Sequence, residues 1–308
     1  MFGPHRSDTK RRALLLPILF LLGALAACSS PDSVDRSVAA SPDAGGGGPR
    51  TADAAPEATV GVASYAREKG DSSGVPFITR QEASGGSSYE ADTVLAVRYG
   101  AHQGYERVVL DLGTGDEPAA SVPEWTLMSS PGSGLLRVTL PSMSRTAVSD
   151  GTLGDALLQS FYVVRAPEGG MFVDIFARKS FAYRVLELSD PARLVVDFRS
   201  EGSDVRPPVV GGDTVLVEPR SGAQIGDPLT VRGYSRNFEA SNTIALEDSS
   251  GRAVIQRRVL SNDWTSTWGY FEATLDLPPF GGKGTLRVGT ESARNGTFDG
   301  VEVPVKGE

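Results

Sequence analysis

The sequence predicts an all-β protein, with two β-sandwich domains that follow a signal peptide and a disordered linker. From residue 91 onward, apolar and polar residues alternate with a period of two in short runs, which is the pattern of half-buried strands. Turn-forming pairs such as Asp190-Pro191 and Asn295-Gly296 separate these runs. Only residues 151–162 have a helical period, and they predict one short helix.

The first 27 residues have the features of a secretory signal peptide. Residues 1–12 carry four basic side chains and one acidic side chain, whereas residues 13–27 carry no charge. Fifteen residues rise only about 22 Å as a helix, which is too short for a hydrocarbon core of about 30 Å. A basic start, a short apolar stretch and small residues at its end are typical of a cleaved signal.

The end of this segment, Leu25-Ala26-Ala27-Cys28, resembles the lipobox of bacterial lipoproteins. The resemblance implies cleavage before Cys28, attachment of diacylglycerol to its thiol, and acylation of the new amino terminus by a fatty acid such as palmitate. Two or more acyl chains anchor a protein stably. We therefore expect an extracytoplasmic protein of the bacterial cell envelope, anchored to the membrane by the lipid on Cys28. The alternative is an ordinary signal peptide or membrane anchor with an incidental cysteine.

Composition excludes several classes of chemistry. Removal of residues 1–27 leaves 281 residues with 26 basic and 37 acidic side chains, a net charge of −11. This balance is spread evenly over both predicted domains and argues against a nucleic-acid partner. One cysteine permits no internal disulfide and no cysteine-based zinc cluster. With His102 as the one histidine left, no histidine metal cluster and no cofactor are expected.

Residues 28–90 are predicted to be a disordered tether. Ser, Ala, Gly and Pro occupy 35 of the 62 positions from 29 to 90. Such a segment buries too little apolar surface to offset the entropy of ordering. Val75-Pro76-Phe77-Ile78 is the exception, and we expect it to be able to dock on the domain that follows.

Residues 91–200 are predicted to be the first β domain. The strands on either side of residues 100–104 form a predicted hairpin. Arg107 with Asp111, and Arg193 with Asp197, are spaced so that each pair lies on one strand face, with apolar residues on the other. Two interpretations remain open. The pairs are either charge pairs on the solvent face of half-buried strands, or an exposed ladder that binds a polar polymer.

Residues 201–212 are rich in proline and glycine and are predicted to be a linker before a second domain at 213–308. Seven short strands in fewer than a hundred residues indicate a β-sandwich. Trp264 and Trp268 lie in a polar segment between two of these strands. They either stack on the sugar rings of a glycan or cap the sandwich core, since large aromatic residues are highly buried on average.

Two stretches of sequence carry recognisable motifs. Those of the first are Val97-Arg98-Tyr99-Gly100, GYERVVLD at 104–111 and DPARLVVD at 190–197. Through these motifs, residues 91–200 resemble an AMIN-like domain, a β-sandwich module of envelope proteins that targets cell-wall amidases to the wall. The motifs of the second stretch are PRSG at 219–222, PLTVRG at 228–233, NFEA at 237–240 and LED at 246–248. Through them, residues 213–306 resemble the immunoglobulin-like domain of bacterial spore germination proteins.

Together these features predict a non-enzymatic, lipid-anchored protein that binds peptidoglycan, another cell-wall polymer or envelope partner proteins. Neither resemblance implies a catalytic residue, and His102 lies in a glycine-flanked loop without a G-x-S-x-G nucleophile elbow in the sequence. The alternatives are an envelope hydrolase that uses carboxylates, a regulator of such a hydrolase, or a germination-type assembly factor. The candidate ligand contacts are Trp264, Trp268, Arg107, Asp111, Arg193 and Asp197.

Overall fold

The computed structural model describes residues 74–291 and 296–307. This part of the chain consists of β strands and two short 3-10 turns, Pro131–Ser133 and Phe238–Ala240, so the predicted all-β class is confirmed. No helix in it is both long enough and apolar enough to cross a membrane. The predicted signal peptide, the lipid site Cys28 and residues 28–73 of the predicted tether lie outside the described residues. The prediction of a disordered tether is wrong for its last residues, because Glu82–Gly85 form a strand that pairs with residues 125–128 of the first domain.

The strands are numbered in chain order. Those before residue 205 are β1 (Glu82–Gly85), β2 (Thr93–His102), β3 (Tyr105–Thr114), β4 (Glu117–Pro118), β5 (Trp125–Ser130), β6 (Leu135–Leu140), β7 (Arg145–Thr146), β8 (Asp150–Thr152), β9 (Leu158–Arg165), β10 (Met171–Ala177), β11 (Lys179–Leu188) and β12 (Arg193–Asp204). Those after it are β13 (Val209–Gly211), β14 (Thr214–Glu218), β15 (Gln224–Ile225), β16 (Leu229–Ser235), β17 (Ser241–Asp248), β18 (Ala253–Leu260), β19 (Trp268–Leu275), β20 (Gly282–Glu291) and β21 (Phe298–Gly307).

The strands from β1 to β12 form a sandwich of two sheets. One has the order β11-β12-β3-β2-β7, and the other contains β1, β5, β6, β10 and β9. The predicted hairpin joins β2 to β3: His102 lies opposite Tyr105, and Gly104 in the turn has a φ of 86°, which favours glycine. The core between the sheets is built from alternate strand residues without exposed surface, among them Val108, Leu110, Leu136, Val138, Leu140 and Val196.

The predicted helix at 151–162 is wrong. Residues in this stretch belong to β8 and β9, and β9 pairs with β10 along its length. Phe161 and Val163 face the core of the first sandwich, whereas Tyr162 and Val164 face a separate apolar cluster on the opposite side. Because β9 is buried on both faces, it has apolar residues at neighbouring positions, and this run resembles a helical period.

The strands from β14 onward form the predicted second sandwich. The sheet β15-β21-β20-β17-β18 packs on β14, β16 and β19. In the turn between β17 and β18, a carboxylate oxygen of Asp248 accepts the backbone N–H of Ser250 at 2.9 Å and of Arg252 at 3.1 Å. The core residues include Leu216, Val231, Ile244, Phe271, Leu286 and Val303.

The two sandwiches share one sheet. β9 and β19 are parallel neighbours, with Val164 beside Trp268 and Arg165 beside Gly269. The strands therefore follow one another in the order β1-β5-β6-β10-β9-β19-β16-β14-β13. The segment 201–212, predicted as a linker, contains the last residues of β12 and all of β13. The domains are thus joined by strand pairing as well as by the covalent chain.

A third apolar cluster fills the junction between the domains. Tyr162, Phe172 and Phe176 of β9 and β10 contribute to it from the first domain. The second domain contributes side chains of β14, β16 and β19. This packing covers the outer face of β9 and β10, so the first domain turns the outer face of β11, β12, β3 and β2 away from the junction. The partners from the second domain are Val215, Val217, Tyr234 and Trp268.

Candidate binding sites

Two residues of the predicted ladder, Arg107 and Asp197, form a buried ion pair. Arg107 donates from Nε to Oδ1 of Asp197 at 2.6 Å and from Nη2 to Oδ2 at 3.0 Å. Arg184 on β11 also donates to Oδ2, at 2.8 Å. The side chain of Arg107 is 5% exposed and that of Asp197 is 0% exposed. The Asp197 carboxylate is shared by two guanidinium groups and so holds β3, β11 and β12 together. Arg107 and Asp197, one half of the predicted ladder, are therefore not on the surface.

The segment before β1 packs beside this ion pair, as predicted for residues 75–78. Ile78 exchanges both backbone hydrogen bonds with Tyr183, at 2.8 and 2.9 Å. The carbonyl oxygen of Val75 accepts a hydrogen bond from Nη1 of Arg184 at 3.2 Å. The Phe77 ring lies 4.5 Å from the guanidinium carbon of Arg184. These contacts help to explain why a charge pair on the outer sheet face is buried.

The other two ladder residues, Asp111 and Arg193, lie opposite each other on β3 and β12. Asp111 accepts two hydrogen bonds from Arg98, at 2.5 and 2.6 Å, and Arg193 donates to the carbonyl oxygen of Pro191 at 3.2 Å. The Asp111 side chain keeps 23% of its surface exposed. Sequence reasoning missed Arg98, although the hairpin register puts it diagonal to Asp111 on one face.

Trp268 is a junction residue. It is 3% exposed, and its Nε1 donates to Oδ1 of Asp150 at 2.9 Å. Its ring stands perpendicular to that of Tyr162, with the centroids 5.3 Å apart. The guanidinium carbon of Arg236 lies 4.3 Å from the indole centroid. Trp268 therefore ties the two domains together, in line with the core-capping interpretation, and offers no ring face to a ligand.

Trp264 forms an exposed ring pair with Phe238. The centroids lie 5.2 Å apart in an edge-to-face arrangement, with Trp264 37% and Phe238 71% exposed. Leu260, which is 63% exposed, pairs with Ser241 close to Phe238 in the chain. The ring pair lies at one corner of the second domain, and the strand pairing places Leu260 near it in the fold. Sequence reasoning missed Phe238 because nothing in its neighbours indicates that a turn holds it outward.

A fixed loop presents Trp264. Oδ1 of Asp263 accepts the backbone N–H groups of Trp264, Thr265 and Ser266 at 2.7, 2.9 and 3.1 Å. Arg165 of the first domain donates to Oδ2 of Asp263 at 3.3 Å. Burial opposes ionisation of this carboxyl, yet the three N–H groups hold the pKa of Asp263 below its ordinary value. The ionised carboxylate thus organises the loop that carries the ring.

A strained turn presents the other ring. Glu239 and Ala240 have φ values of 55° and 57°, in the left-handed region that costs a residue with a side chain about 1–3 kcal/mol. Buried amides hold this turn: Asn237 donates to Asn242 at 2.7 Å, and Asn242 donates to the Ala240 carbonyl oxygen at 3.1 Å. The N–H of Ser261 donates to the same carbonyl oxygen at 2.9 Å. Strain held by a buried network is typical of functional positions.

The titratable groups of the β2–β3 hairpin have structural partners. His102 stacks on Tyr105 at 4.7 Å, and burial, followed by the charge of Arg107, lowers its pKa. The carboxylate of Glu106 accepts the N–H groups of Leu157 and Leu158 at 3.0 and 2.9 Å. Among the described residues, no group of three or more His, Cys, Asp or Glu is placed to hold a metal ion.

Comparison with protein families agrees with this architecture. Residues 92–200 match the family model of the AMIN-like domain, and residues 215–297 match that of the immunoglobulin-like domain of bacterial spore germination. No curated protein and no solved structure matches the chain. The chain therefore carries an AMIN-like domain followed by an immunoglobulin-like domain of the bacterial spore germination type.

Proposed function

We propose that this is a non-catalytic, lipid-anchored protein of the bacterial cell envelope that binds peptidoglycan through the ring pair of Phe238 and Trp264. The AMIN-like domain supports the envelope location. The observation that carries the binding proposal is the exposure of the two rings, 71% and 37%, at one corner of the second domain. Aromatic rings have a large apolar face, on which the C–H face of a wall sugar can stack.

The fixed backbone around the ring pair supports a binding role. The Asp263 carboxylate orders the loop of Trp264, and the Asn237 amide network orders the turn of Phe238. Rings that are already ordered lose little conformational entropy when a ligand binds, which favours affinity.

We assign a secondary polar contact to the outer face of β3 and β12. Asp111 and Arg193 lie side by side there, and Asp111 is partly exposed. The opposite sheet of the first domain packs against the second domain, so this face is the one oriented outward. Arg107 and Asp197 lie on the same face, four residues further along the two strands.

The membrane anchor in this proposal is the lipid on Cys28. Two or more acyl chains give stable attachment, whereas one is marginal. Residues 28–73 have the composition of a flexible coil, for which 46 residues give a root-mean-square span of about 40 Å. Such a span would let the two domains reach wall polymer away from the bilayer surface.

Co-sedimentation tests the proposed function. The mature chain with Cys28→Ser is mixed with purified peptidoglycan and centrifuged, and we expect it in the pellet. Glycan strands stripped of their peptides should compete, because the ring pair contacts sugars. Protein that stays in the supernatant, or pelleting that stripped strands leave unchanged, would contradict glycan binding. Recovery of one envelope protein alone after crosslinking in the native envelope would favour the partner-binding alternative.

A further inference from the structure

The two domains enclose a groove that neither domain forms alone. It has a volume of about 800 Å³ and lies beside the strand junction of the shared sheet. Met128, Arg137 and Phe172 line it from the first domain, and Tyr270, Glu272 and Thr274 of β19 line it from the second. The rings of Phe172 and Tyr270 meet across the junction with their centroids 6.1 Å apart.

One wall of the groove is an open strand edge. β19 pairs with β16 from Gly269 to Leu275, but it pairs with β9 only at Trp268 and Gly269. The other edge of residues 271–275 therefore has no strand neighbour among the described residues. An open edge of this kind is a template for an added strand.

The alternation of β19 shows which backbone groups are directed to that edge. Tyr270 exchanges hydrogen bonds with Asn262 on the side away from β16: Tyr270 N–H donates to Oδ1 of Asn262 at 2.8 Å, and Asn262 N–H donates to the Tyr270 carbonyl oxygen at 3.1 Å. In an antiparallel pair every second residue directs its N–H and C=O to the same side. Glu272 and Thr274 thus direct theirs toward the open edge.

The groove also carries a fixed cation. Arg137 donates from Nε and Nη2 to Asp174 at 2.7 and 2.8 Å, and its guanidinium carbon lies 3.8 Å from the Phe172 centroid. Nη1 has no hydrogen-bond partner among the described residues, and the side chain is 26% exposed. A held guanidinium with an available N–H group is suited to a carboxylate.

The rim of the groove carries negative charge, opposite to that of Arg137, and an exposed apolar side chain. Glu168 and Glu272 both line the groove, so an amine on the ligand would find a carboxylate there. Met128 is 59% exposed beside them, although methionine is usually buried. The groove therefore complements a ligand that carries a carboxylate, an amine and a small apolar side chain on an extended backbone.

We propose that this groove binds the short peptide of the cell wall, added as a strand to the open edge of β19 with its terminal carboxylate on Arg137. The open edge of five residues spans about 17 Å, which matches a peptide of about that length. This inference rests on the proposed function for the source of the peptide. The peptide groove is a separate site, since the ring pair of Phe238 and Trp264 contacts sugars at another corner of the second domain.

Calorimetric titration with peptides tests the inference. The probes are a synthetic wall pentapeptide with a free carboxyl terminus, its C-terminal amide, and an all-L peptide that mimics the tail of a protein. The mature chain with Cys28→Ser should bind the free acid at least tenfold more tightly than the amide. Absence of saturable binding, or equal binding of acid and amide, would overturn the proposal. Tighter binding of the all-L peptide would overturn the wall as the source.

A pair of variants at one position tests strand addition directly. Thr274→Pro removes the N–H group that is directed to the open edge and leaves the ladder with β16 intact, whereas Thr274→Ala keeps that N–H. We expect the first to lose at least tenfold in peptide affinity and the second to keep it. Equal affinities of the two variants would contradict strand addition.

A second variant keeps the test valid if Thr274→Pro fails to fold. Met128→Asp adds a charge at an exposed position in the groove, and Val210→Asp adds the same charge at a position that is 51% exposed outside it. Only the first should weaken peptide binding. In every variant, the calorimetric binding of stripped glycan strands should stay unchanged. Loss of peptide binding with retained glycan binding therefore separates this inference from the proposed function.

Discussion

The hydroxyl of Tyr234 in the second domain donates to Oδ2 of Asp174 in the first domain, and neither side chain has exposed surface. Arg137 donates two further hydrogen bonds to the same carboxylate. Burial, followed by the negative charge of Asp174, raises the pKa of Tyr234 well above its ordinary value, so the hydroxyl keeps its proton. The charge of Asp174 is thus compensated by side chains from both domains, which ties their stabilities together.

Removal of the Tyr234 hydroxyl should weaken this tie. Tyr234→Phe keeps the ring in the junction core but leaves one Asp174 oxygen without its second donor. We expect the free energy of unfolding in urea to fall by about 1–3 kcal/mol. Tyr89→Phe, at a position that is 77% exposed, is the matched control and should change it by less than about 0.5 kcal/mol. Equal effects of the two variants would contradict the buried role of this hydrogen bond.

The two Arg/Asp pairs of the first domain should differ in their contribution to stability. Asp197→Ala leaves Arg107 and Arg184 buried without their shared carboxylate and should cost about 3–5 kcal/mol. Asp111→Ala removes a partly exposed carboxylate and should cost no more than about 1 kcal/mol. Urea unfolding at neutral pH measures both. Similar losses would mean that the burial of Asp197 does not govern its contribution.

The stabilising contribution of Asp263 should be lost in acid, so the free energy of unfolding should fall there. Its pKa is lower in the folded protein than the value of about 3.9 for an unfolded chain, so its contribution is complete above that pH and is lost as the pH falls through the folded value. Asp263→Asn should therefore show a smaller difference in the free energy of unfolding between pH 7 and pH 3. An unchanged difference would show that the carboxylate charge does not stabilise the Trp264 loop.

The contact of Phe77 with the first domain should protect the segment before β1. Phe77→Ala removes the ring that lies 4.5 Å from Arg184 and 4.8 Å from Arg199, contacts worth about 0.5–1 kcal/mol each. Trypsin should then cleave after Arg80 faster than in the native protein, with little change in global stability. Tyr89→Ala serves as control. Cleavage at the native rate in both variants would show that the ring does not hold the segment.

Loss of the thiol at residue 28 should release the protein from the membrane. Cys28→Ser cannot take diacylglycerol, and the remaining segment offers no second lipid site of that kind. After cell fractionation we expect the native protein with the membranes and the variant in the soluble fraction. Metabolic labelling with palmitate should follow the same pattern. Retention of the variant in the membranes would contradict lipid anchoring at this residue.

Local sequence predicts the strands of this protein well, because alternation and turn chemistry act over a few residues. The hairpin at Gly104 and the turn at Asp248 follow from such signals. The wrong helix at 151–162 arises where β9 is covered on both faces, since a strand without a polar face loses the period of two. Only the packing of the second domain creates that condition.

The roles of the candidate site residues depend on contacts that are distant in sequence. Arg107 with Asp197 and Arg193 with Asp111 have the same local pattern, yet Arg184 and the segment around Phe77 bury only the first pair. Trp264 and Trp268 are four residues apart, and the junction buries one while the other stays exposed. Spacing alone cannot distinguish such residues, because burial is decided by elements that arrive from elsewhere in the chain.

The affinity for purified peptidoglycan tests the central proposal most directly. The double variant Phe238→Ala with Trp264→Ala removes both exposed rings, and Tyr89→Ala removes an exposed ring of the first domain as the matched control. We predict that the double variant binds at least tenfold more weakly, about 1.4 kcal/mol, while the control binds as the native chain does. Native affinity in a double variant that is folded would contradict the account.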